Sequence, residues 1–279
     1  MTRIVVDSGC DLPEAFYTLF PDIEVFFAPL TLTVDDTHYV DDDSLDKLAY
    51  LEHAERSPAG PTTAAPSPQR FLEVMDCDDD VFVITLSSKL SASFESACLA
   101  ARMRADQLKG SLTHVFDSLS ASVGEGMIAF KIAELSKAKL PRLEIIETVE
   151  KFIVDMNTFF ILDNFDTPVK TGRMNKTVAT MAEFLNIKPL CEGLNGEMKV
   201  IHTARSYQKA VTKMITLMKS RFDDYSDRVL AISHCHAYDK AVATQAELLE
   251  AINFKDSYIT TMTGLCTTYA SRGGLIFAC

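Results

Sequence analysis

Residues 83–108, VITLSSKLSASFESACLAARMRADQL, begin as a run of apolar β-formers and end with the spacing of an amphipathic helix. Five serines lie at the transition: Ser87, Ser88, Ser91, Ser93 and Ser96. A helix that starts here leaves about four backbone N–H groups without intrahelical partners and carries about half a positive charge at its N-terminus. The hydroxyls therefore either cap the helix or, together with the free N–H groups, bind an anion such as a carboxylate or a phosphate.

The first half of the chain repeats this order of strand and helix. Strands are predicted over residues 3–7, 81–86 and 112–116, and helices start at Asp11, Ser44, Ser67 and about Ser91, with a further one through residues 127–140. Residues 24–40 predict a hairpin that turns at Asp35-Asp36. Strands that alternate with helices are typical of a parallel sheet wrapped by helices.

A second α/β segment follows residue 156. Strands are predicted at TFFILD, RVLAISH, SYITTM and GGLIFAC, and helices over residues 178–185, 206–222 and 237–252. Residues 188–204 predict a hairpin with an Asn195-Gly196 turn. We therefore predict two α/β domains: residues 1–156, with a parallel sheet and a small β-hairpin insertion near 24–40, and residues 157–279, with a mixed sheet.

Composition excludes several classes of protein. The 279-residue chain has 47% hydrophobic residues, enough for packed cores, and a formal net charge of −12, which disfavours nucleic acid as a partner. The seven cysteines are scattered without a CxxC pair, as expected for free thiols in a reducing cytosol. Because the N-terminus lacks a signal-like segment and no apolar run reaches about 18 residues, we predict a cytoplasmic protein.

A second hydroxyl-rich loop, PTTAAPS over residues 61–67, lies one strand before the serines. Its prolines favour an extended path, and the hydroxyls of Thr62 and Thr63 supply hydrogen-bond donors. A plain proline-rich connector is the alternative interpretation of the same residues.

The sequence gives less support to a metal site, a serine hydrolase or a nucleotide-binding domain. His234-Cys235-His236 lacks further identified metal ligands, and the runs Asp41–Asp43 and Asp78–Asp80 lack the spacing of a calcium loop, so we interpret them as solvated turns and predict no metal. A serine hydrolase with Ser91 as nucleophile is the rival function, but no G-x-S-x-G elbow occurs. A nucleotide-binding domain would need a glycine-rich phosphate loop, which is also missing.

Several stretches in order resemble the DegV family of bacterial fatty-acid-binding proteins and together cover nearly the whole chain. RIVVDSGCDLP is similar to the family's opening strand, TAAPSPQRF to its T-S-Q-P-S-P loop, and SSKLSASFESA to S-S-x-L-S-G-T-Y-x-S-A. DSLSASVGEG, PVKTGRMNK, IKPLCEG and ARSYQKA match further family segments. The chain departs from the pattern at Ala64-Ala65, at Ala92, and at Tyr269, which stands where the family has a histidine.

The resemblance implies a carrier without catalytic residues or cofactor, which holds one long-chain fatty acid in a tunnel between two α/β domains. A separate ATP-dependent kinase would phosphorylate the carboxylate, and an acyltransferase or a membrane surface would be a transient partner. The resemblance places the carboxylate site at Thr63 and Ser91, helped by Thr62, the N–H groups of Ala92 and Ser93, and Tyr269. It places Arg173 near the tunnel mouth, toward an acyl phosphate or a partner.

Five methionines have the adaptable side chains that an acyl tunnel needs, although at helical spacing each is more often ordinary core. They are Met127, Met156, Met181, Met214 and Met262.

Overall fold

A computed structural model describes residues 2–107, 111–175 and 187–279. We refer to the residues before 157 as the N-terminal half and to the others as the C-terminal half. The N-terminal half contains a parallel sheet with the strand order β2-β1-β6-β7. Its strands are β1 (Thr2–Asp7), β2 (Glu24–Ala28), β6 (Asp80–Thr85) and β7 (Thr113–Asp117).

Helices cover both faces of this sheet, which explains why its strands are nearly continuous apolar runs. The helices are α1 (Ala15–Leu19), α2 (Lys47–Arg56), α3 (Pro68–Val74), α4 (Ser93–Gln107), α5 (Val123–Lys137) and α6 (Arg142–Asp155). Alternation along β1 sends Ile4 and Val6 into a core with α5 and α6, and Val5 into a second core with α3 and α4. The predicted parallel sheet wrapped by helices is confirmed.

The C-terminal half contains a mixed sheet with the order β10-β9-β8-β13-β11-β12, in which only β11 and β12 run parallel. Its strands are β8 (Thr158–Ile161), β9 (Lys188–Leu194), β10 (Glu197–Ala204), β11 (Val229–His234), β12 (Asp256–Thr261) and β13 (Leu275–Ala278). The helices described here are α7 (Asp166–Lys170), α8 (Tyr207–Arg221), α9 (Tyr238–Ala251) and α10 (Gly264–Ala270). The helix predicted over residues 178–185 lies outside the described residues.

Both predicted hairpin turns are present, but one hairpin is shorter than expected. Asn195 and Gly196 connect β9 to β10, and both have positive φ angles, as a tight turn of this type requires. The prediction of a hairpin over residues 24–40 is wrong in its first part. β2 pairs in parallel with β1, and Pro29, which has no N–H to donate, follows its last residue.

The remaining hairpin belongs to a small third sheet with the order β4-β3-β5. It is formed by β3 (Thr31–Val34) and β4 (Thr37–Val40), which turn at Asp35 and Asp36, and by β5 (Thr62–Ala64), which comes from the proline-rich loop. The loop interpreted as a possible plain connector therefore contributes a paired strand.

Helix α5 packs between the two halves. Val123 and Met127 on α5 contact Ala231 of β11 and Ala278 of β13, so the helix is buried against both sheets. Among the described residues, no helix is long and apolar enough to cross a membrane. A domain boundary at residue 156 stays a prediction.

Candidate functional site

An apolar cavity of about 260 Å³ lies between the two halves. Leu86 and Leu119 line it from the N-terminal half, and Phe160, Leu162 and Ile276 line it from the C-terminal half. Both halves therefore contribute side chains to one partly enclosed space, of the kind that takes an apolar ligand.

The serines between β6 and α4 have different roles. The carbonyl oxygen of Ser87 accepts hydrogen bonds from the N–H groups of Leu90 and Ser91. The Ser87 hydroxyl donates a hydrogen bond of 2.8 Å to the carbonyl oxygen of Gly196 in the C-terminal half. The hydroxyl oxygen of Ser91 accepts from the N–H of Ser93 at 3.2 Å and lies 3.0 Å from the Ser93 hydroxyl. Ser91 is thus a cap of α4 and also lines the cavity.

Two further hydroxyls reach the same cavity. Thr63, on β5, and Tyr269, on α10, both line it, and their hydroxyl oxygens lie 3.0 Å apart. The structure therefore brings hydroxyls from three separate elements, β5, the α4 entry and α10, to one cavity whose other walls are largely apolar. Hydroxyl groups in such a wall can donate hydrogen bonds to a small polar group in the cavity.

The other residues predicted for this site divide into two groups. Ala92 lines the cavity. Thr62 is exposed on β5, because successive side chains on a strand point to opposite faces, and the side chain of Ser93 is buried behind Ser91. Neither of these two is among the described residues that line the cavity.

Arg173 lines both the cavity and an adjoining, more open groove. Its guanidinium donates to the carbonyl oxygen of Leu90 at 3.0 Å and to that of Thr171 at 2.6 Å. Lys89 and Lys199 also line the groove. Arg173 is thus held by backbone acceptors at a locally basic surface of an acidic protein.

Of the five methionines considered as cavity lining, the four that the structure describes pack in the cores, the interpretation that helical spacing favoured. Met127, Met214 and Met262 are buried in the cores, Met156 packs against the N-terminal core, and Met181 lies outside the described residues. Met198, which the sequence did not single out, is a lining residue of the cavity. It lies on β10 and pairs with Gly193 on β9, a contact that only the strand register reveals.

The residues considered for a metal site have structural roles. Within the described ranges no group of His, Cys, Asp and Glu side chains has the arrangement of a metal site. The buried His234 accepts from the N–H of Ala237 through Nδ1, and burial followed by the neighbouring His236 lowers its pKa. The interpretation of Asp41 as part of a solvated turn is wrong. Its side chain is only 5% exposed, because it accepts hydrogen bonds from the start of α10.

Several carboxyl groups are buried near the cavity. Both oxygens of Glu125 are buried, and the side chain with which Glu125 shares a hydrogen bond is Asp7, another buried carboxyl group. Burial, followed by the charges of Asp7 and Asp11, raises the pKa of Glu125 well above its ordinary value. Burial also raises the pKa values of Asp7 and Asp11, and it raises the pKa of Asp41 to about 6. Folding therefore favours the protonated form of the Glu125 carboxyl group.

Replacing Glu125 by glutamine is expected to flatten the dependence of stability on pH. The folded-state pKa of Glu125 is raised, so above its ordinary value of 4.5 the folded protein binds more protons than the unfolded chain. The free energy of unfolding should therefore fall as pH rises, by up to about 1.4 kcal/mol per pH unit from this group, until the folded pKa is passed. Urea unfolding between about pH 5 and pH 8 measures the slope.

Glu134→Gln is the matched control, because Glu134 lies on the same helix with a half-exposed side chain. It should keep the wild-type slope. An equally steep slope in Glu125→Gln and in wild type would contradict the assignment of the bound proton to Glu125.

Comparison with known proteins gives a consistent picture along the whole chain. The family model described as uncharacterised proteins of the DegV family matches residues 1–278. A DegV domain-containing protein of Caldanaerobacter subterraneus is 31% identical over 235 residues, which cover 83% of this chain and 81% of the relative.

Solved structures are similar over the same length. A DegV family protein from Ruminococcus gnavus, refined with vaccenic acid, has 33% sequence identity and a TM-score of 0.93, and covers 100% of this chain and 99% of its own. The Fatty Acid Kinase (Fak) B3 protein of Streptococcus pneumoniae, loaded with linoleic acid, has 26% identity and a TM-score of 0.91, with 100% and 98% covered.

Proposed function

Because the chain belongs to the DegV family, we propose that it binds a long-chain fatty acid in the cavity between its halves and presents the carboxylate to a partner kinase. The observation that carries the proposal is an apolar cavity with the hydroxyls of Thr63, Ser91 and Tyr269 in its wall. Two similar proteins that were crystallised with vaccenic acid and linoleic acid support the same ligand class.

The acyl chain and the carboxylate head group of the fatty acid would contribute differently to the binding energy. Burying an acyl chain contributes about 0.8 kcal/mol per methylene, so the apolar walls would dominate affinity. A buried carboxylate is unfavourable unless hydrogen bonds replace its water, and the hydroxyls would supply them. The backbone N–H of Ala92 would add a donor at the start of α4, where the helix dipole favours an anion. Tyr269 stands where the resemblance has a histidine, and a tyrosine cannot serve as a cation, so this head-group site would work through hydroxyl donors.

Presentation to a kinase is the finer part of the proposal. It is supported by the similarity to the Fak B3 protein and by the position of Arg173 between the cavity and the open groove. A guanidinium there would meet an acyl phosphate or an acidic surface of the kinase with paired hydrogen bonds. The chain itself would be a carrier and not the catalyst.

A serine hydrolase would need a base beside Ser91. The Ser91 hydroxyl is instead 3.0 Å from that of Ser93, and no histidine is found among the described residues that line the cavity. No observation therefore favours the hydrolase.

Replacing Ser91 or Thr63 by alanine is expected to weaken binding of a long-chain fatty acid by roughly ten- to a hundredfold. Each variant removes one hydrogen bond to a charged carboxylate, which contributes about 1.5–3 kcal/mol. Since both hydroxyls would serve one carboxylate, the double variant should be non-additive. Fluorescence or calorimetric titration with palmitate and with hexadecanol measures the effect, and the alcohol should be less sensitive because it has no charge.

Arg173→Ala tests presentation to the kinase separately from the hydroxyl contacts to the carboxylate. Its guanidinium bonds to backbone carbonyls, so palmitate affinity should stay close to wild type while phosphorylation by a fatty acid kinase slows. Equal palmitate affinity in wild type, Ser91→Ala, Thr63→Ala and the double variant would show that these hydroxyls are only caps and loop contacts.

A further inference from the structure

A buried carboxylate of the N-terminal half holds the first turn of α10 in the C-terminal half. Asp41 Oδ1 accepts a hydrogen bond from the N–H of Gly264, and Asp41 Oδ2 accepts one from the N–H of Leu265, each at 2.8 Å. These N–H groups belong to the turn where a helix has no internal partners for them. The two bonds fix both the position and the direction of the helix start.

The identity of residue 264 matches this contact. A Cβ atom on Gly264 would lie 2.4 Å from Asp41 Oδ1 and 2.4 Å from Leu45 Cδ2. Both distances are far shorter than any real contact of a Cβ atom, so a side chain at this position would push α10 away from Asp41. The carboxylate can reach the backbone only because the residue is glycine.

Two further contacts connect α10 and the residue before it to the N-terminal half. Asp11 Oδ1 accepts from the N–H of Thr263 at 2.7 Å, immediately before the helix. The hydroxyl of Tyr50, on α2, lies 2.6 Å from that of Thr268, one residue before Tyr269. The N-terminal half therefore contacts the start and the middle of α10.

The small three-stranded sheet connects Asp41 to Thr63, which faces Tyr269 in the head-group site formed by Thr63, Ser91 and Tyr269. Asp41 directly follows β4, whose partner strand β3 pairs Leu32 with Thr63 on β5. The same small sheet thus contains Thr63 and is followed directly by Asp41, which holds α10, the helix of Tyr269. The 3.0 Å contact between the Thr63 and Tyr269 hydroxyls depends on both positions.

We propose that Asp41 is a positioning residue of the head-group site, which holds α10 so that the Tyr269 hydroxyl lies beside that of Thr63. The proposal rests on fatty-acid binding at this site. Asp41 does not line the cavity, so it acts through α10 and not by touching the ligand. Its loss should remove most of what Tyr269 contributes to carboxylate binding, and should also shift Leu265, which lines the cavity from the same helix.

The test is a set of palmitate titrations on the full-length protein carrying Asp41→Asn, Tyr269→Phe or both. An asparagine keeps one acceptor oxygen but turns an amide N–H₂ toward a backbone N–H, so one of the two bonds is lost. Asp41→Asn and Tyr269→Phe should each lower palmitate affinity about five- to tenfold, and the loss in the double variant should fall well short of the product of the two single losses. Hexadecanol should show smaller losses.

Asp42→Asn is the matched control, because Asp42 is the exposed neighbour and its side chain bonds only to Ser44 in the contacts described. It should keep wild-type affinity. Tyr50→Phe, which loosens the middle of α10 without a change of charge, should lower palmitate affinity about twofold, and only when Tyr269 is present. This variant provides the same test if Asp41→Asn does not fold.

The outcomes separate this inference from the proposed function. A wild-type protein that binds no long-chain acid would overturn both. Wild-type binding with a loss in Tyr269→Phe, but unchanged affinity in Asp41→Asn and Tyr50→Phe, would overturn only the positioning role. Losses that multiply in the Asp41→Asn/Tyr269→Phe double variant would also overturn it, because Asp41 would then act independently of Tyr269.

Discussion

Replacing Gly193 by leucine is expected to abolish binding of long-chain fatty acids while leaving the protein folded. Gly193 lies on β9 and lines the cavity. A Cβ atom there would meet nothing closer than Thr158 Cβ at 3.7 Å and two carbonyl oxygens at 3.8 and 3.9 Å, which are ordinary contacts. The backbone therefore accepts a side chain, and the rest of a leucine would extend into space that the acyl chain needs.

The expected loss follows from the excluded methylenes. If about five methylenes lose their place in the cavity, about 4 kcal/mol of burial is lost, which corresponds to roughly a thousandfold increase in Kd. Palmitate titration measures the affinity, and circular dichroism with thermal unfolding measures folding.

Gly193→Ala is the matched control, since its single methyl group fits at the distances above and should change Kd only severalfold. A folded Gly193→Leu protein with wild-type palmitate affinity would exclude this cavity as the acyl site. The position is useful because the variant tests the apolar walls separately from the hydroxyls.

Protein produced in a bacterial host is expected to carry about one fatty acid per chain, and its removal is expected to lower the melting temperature by roughly 10 °C. An apolar cavity gains little from water, so an available long-chain acid should fill it. A ligand at about a thousand times its Kd stabilises the folded state by about 4.1 kcal/mol, and each kcal/mol raises the melting temperature of a protein near this size by about 2–4 °C.

Mass spectrometry of a solvent extract measures the bound lipid, and differential scanning calorimetry measures the shift before and after delipidation. Adding oleate or palmitate should restore the melting temperature in a concentration-dependent way, whereas an acid of about four carbons should not, because it buries few methylenes. Native protein without lipid that shows no thermal response to any long-chain acid would remove the carrier function.

The two predictions differ in what they depend on. Lipid occupancy follows from the apolar walls and tests the ligand class, whereas Gly193→Leu tests the place where the chain lies. The head-group variants act on a smaller part of the binding energy, because hydrogen bonds to a carboxylate largely replace those that it makes with water.

Local periodicity was sufficient for much of the fold. The apolar run and serines at residues 83–108 predict a strand followed by a helix, and the structure has β6 and α4 there. The Asn195-Gly196 pair predicts a hairpin that is present. These features depend on neighbours a few residues apart, so the sequence itself contains the relevant pattern. The seven cysteines, predicted to be free thiols, are unpaired in the structure.

Local patterns could not predict which residues far apart in the sequence lie close together in space. Thr63 and Tyr269 are 206 positions apart, yet their hydroxyls are 3.0 Å apart, and only the resemblance to a family placed both at one site. Asp41 was misinterpreted as solvated because its partners, Gly264 and Leu265, lie more than 220 positions away. A short acidic run has the same local appearance whether it faces water or a distant helix.

The sequence by itself thus determined many of the elements, their order and the hydroxyl-rich segments, because secondary structure and capping depend on residues within one or two turns of each other. Strand β5 and helices α6, α7 and α10 were not predicted from it. Tertiary structure decided which segments meet. It turned residues 24–28 into an edge strand of the parallel sheet, buried Glu125 beside Asp7, and placed Met198 in the cavity wall, where none of the four described methionines considered in the sequence lies. The physical reason is that burial and pairing depend on the packing of both halves around α5, and no local period encodes that packing.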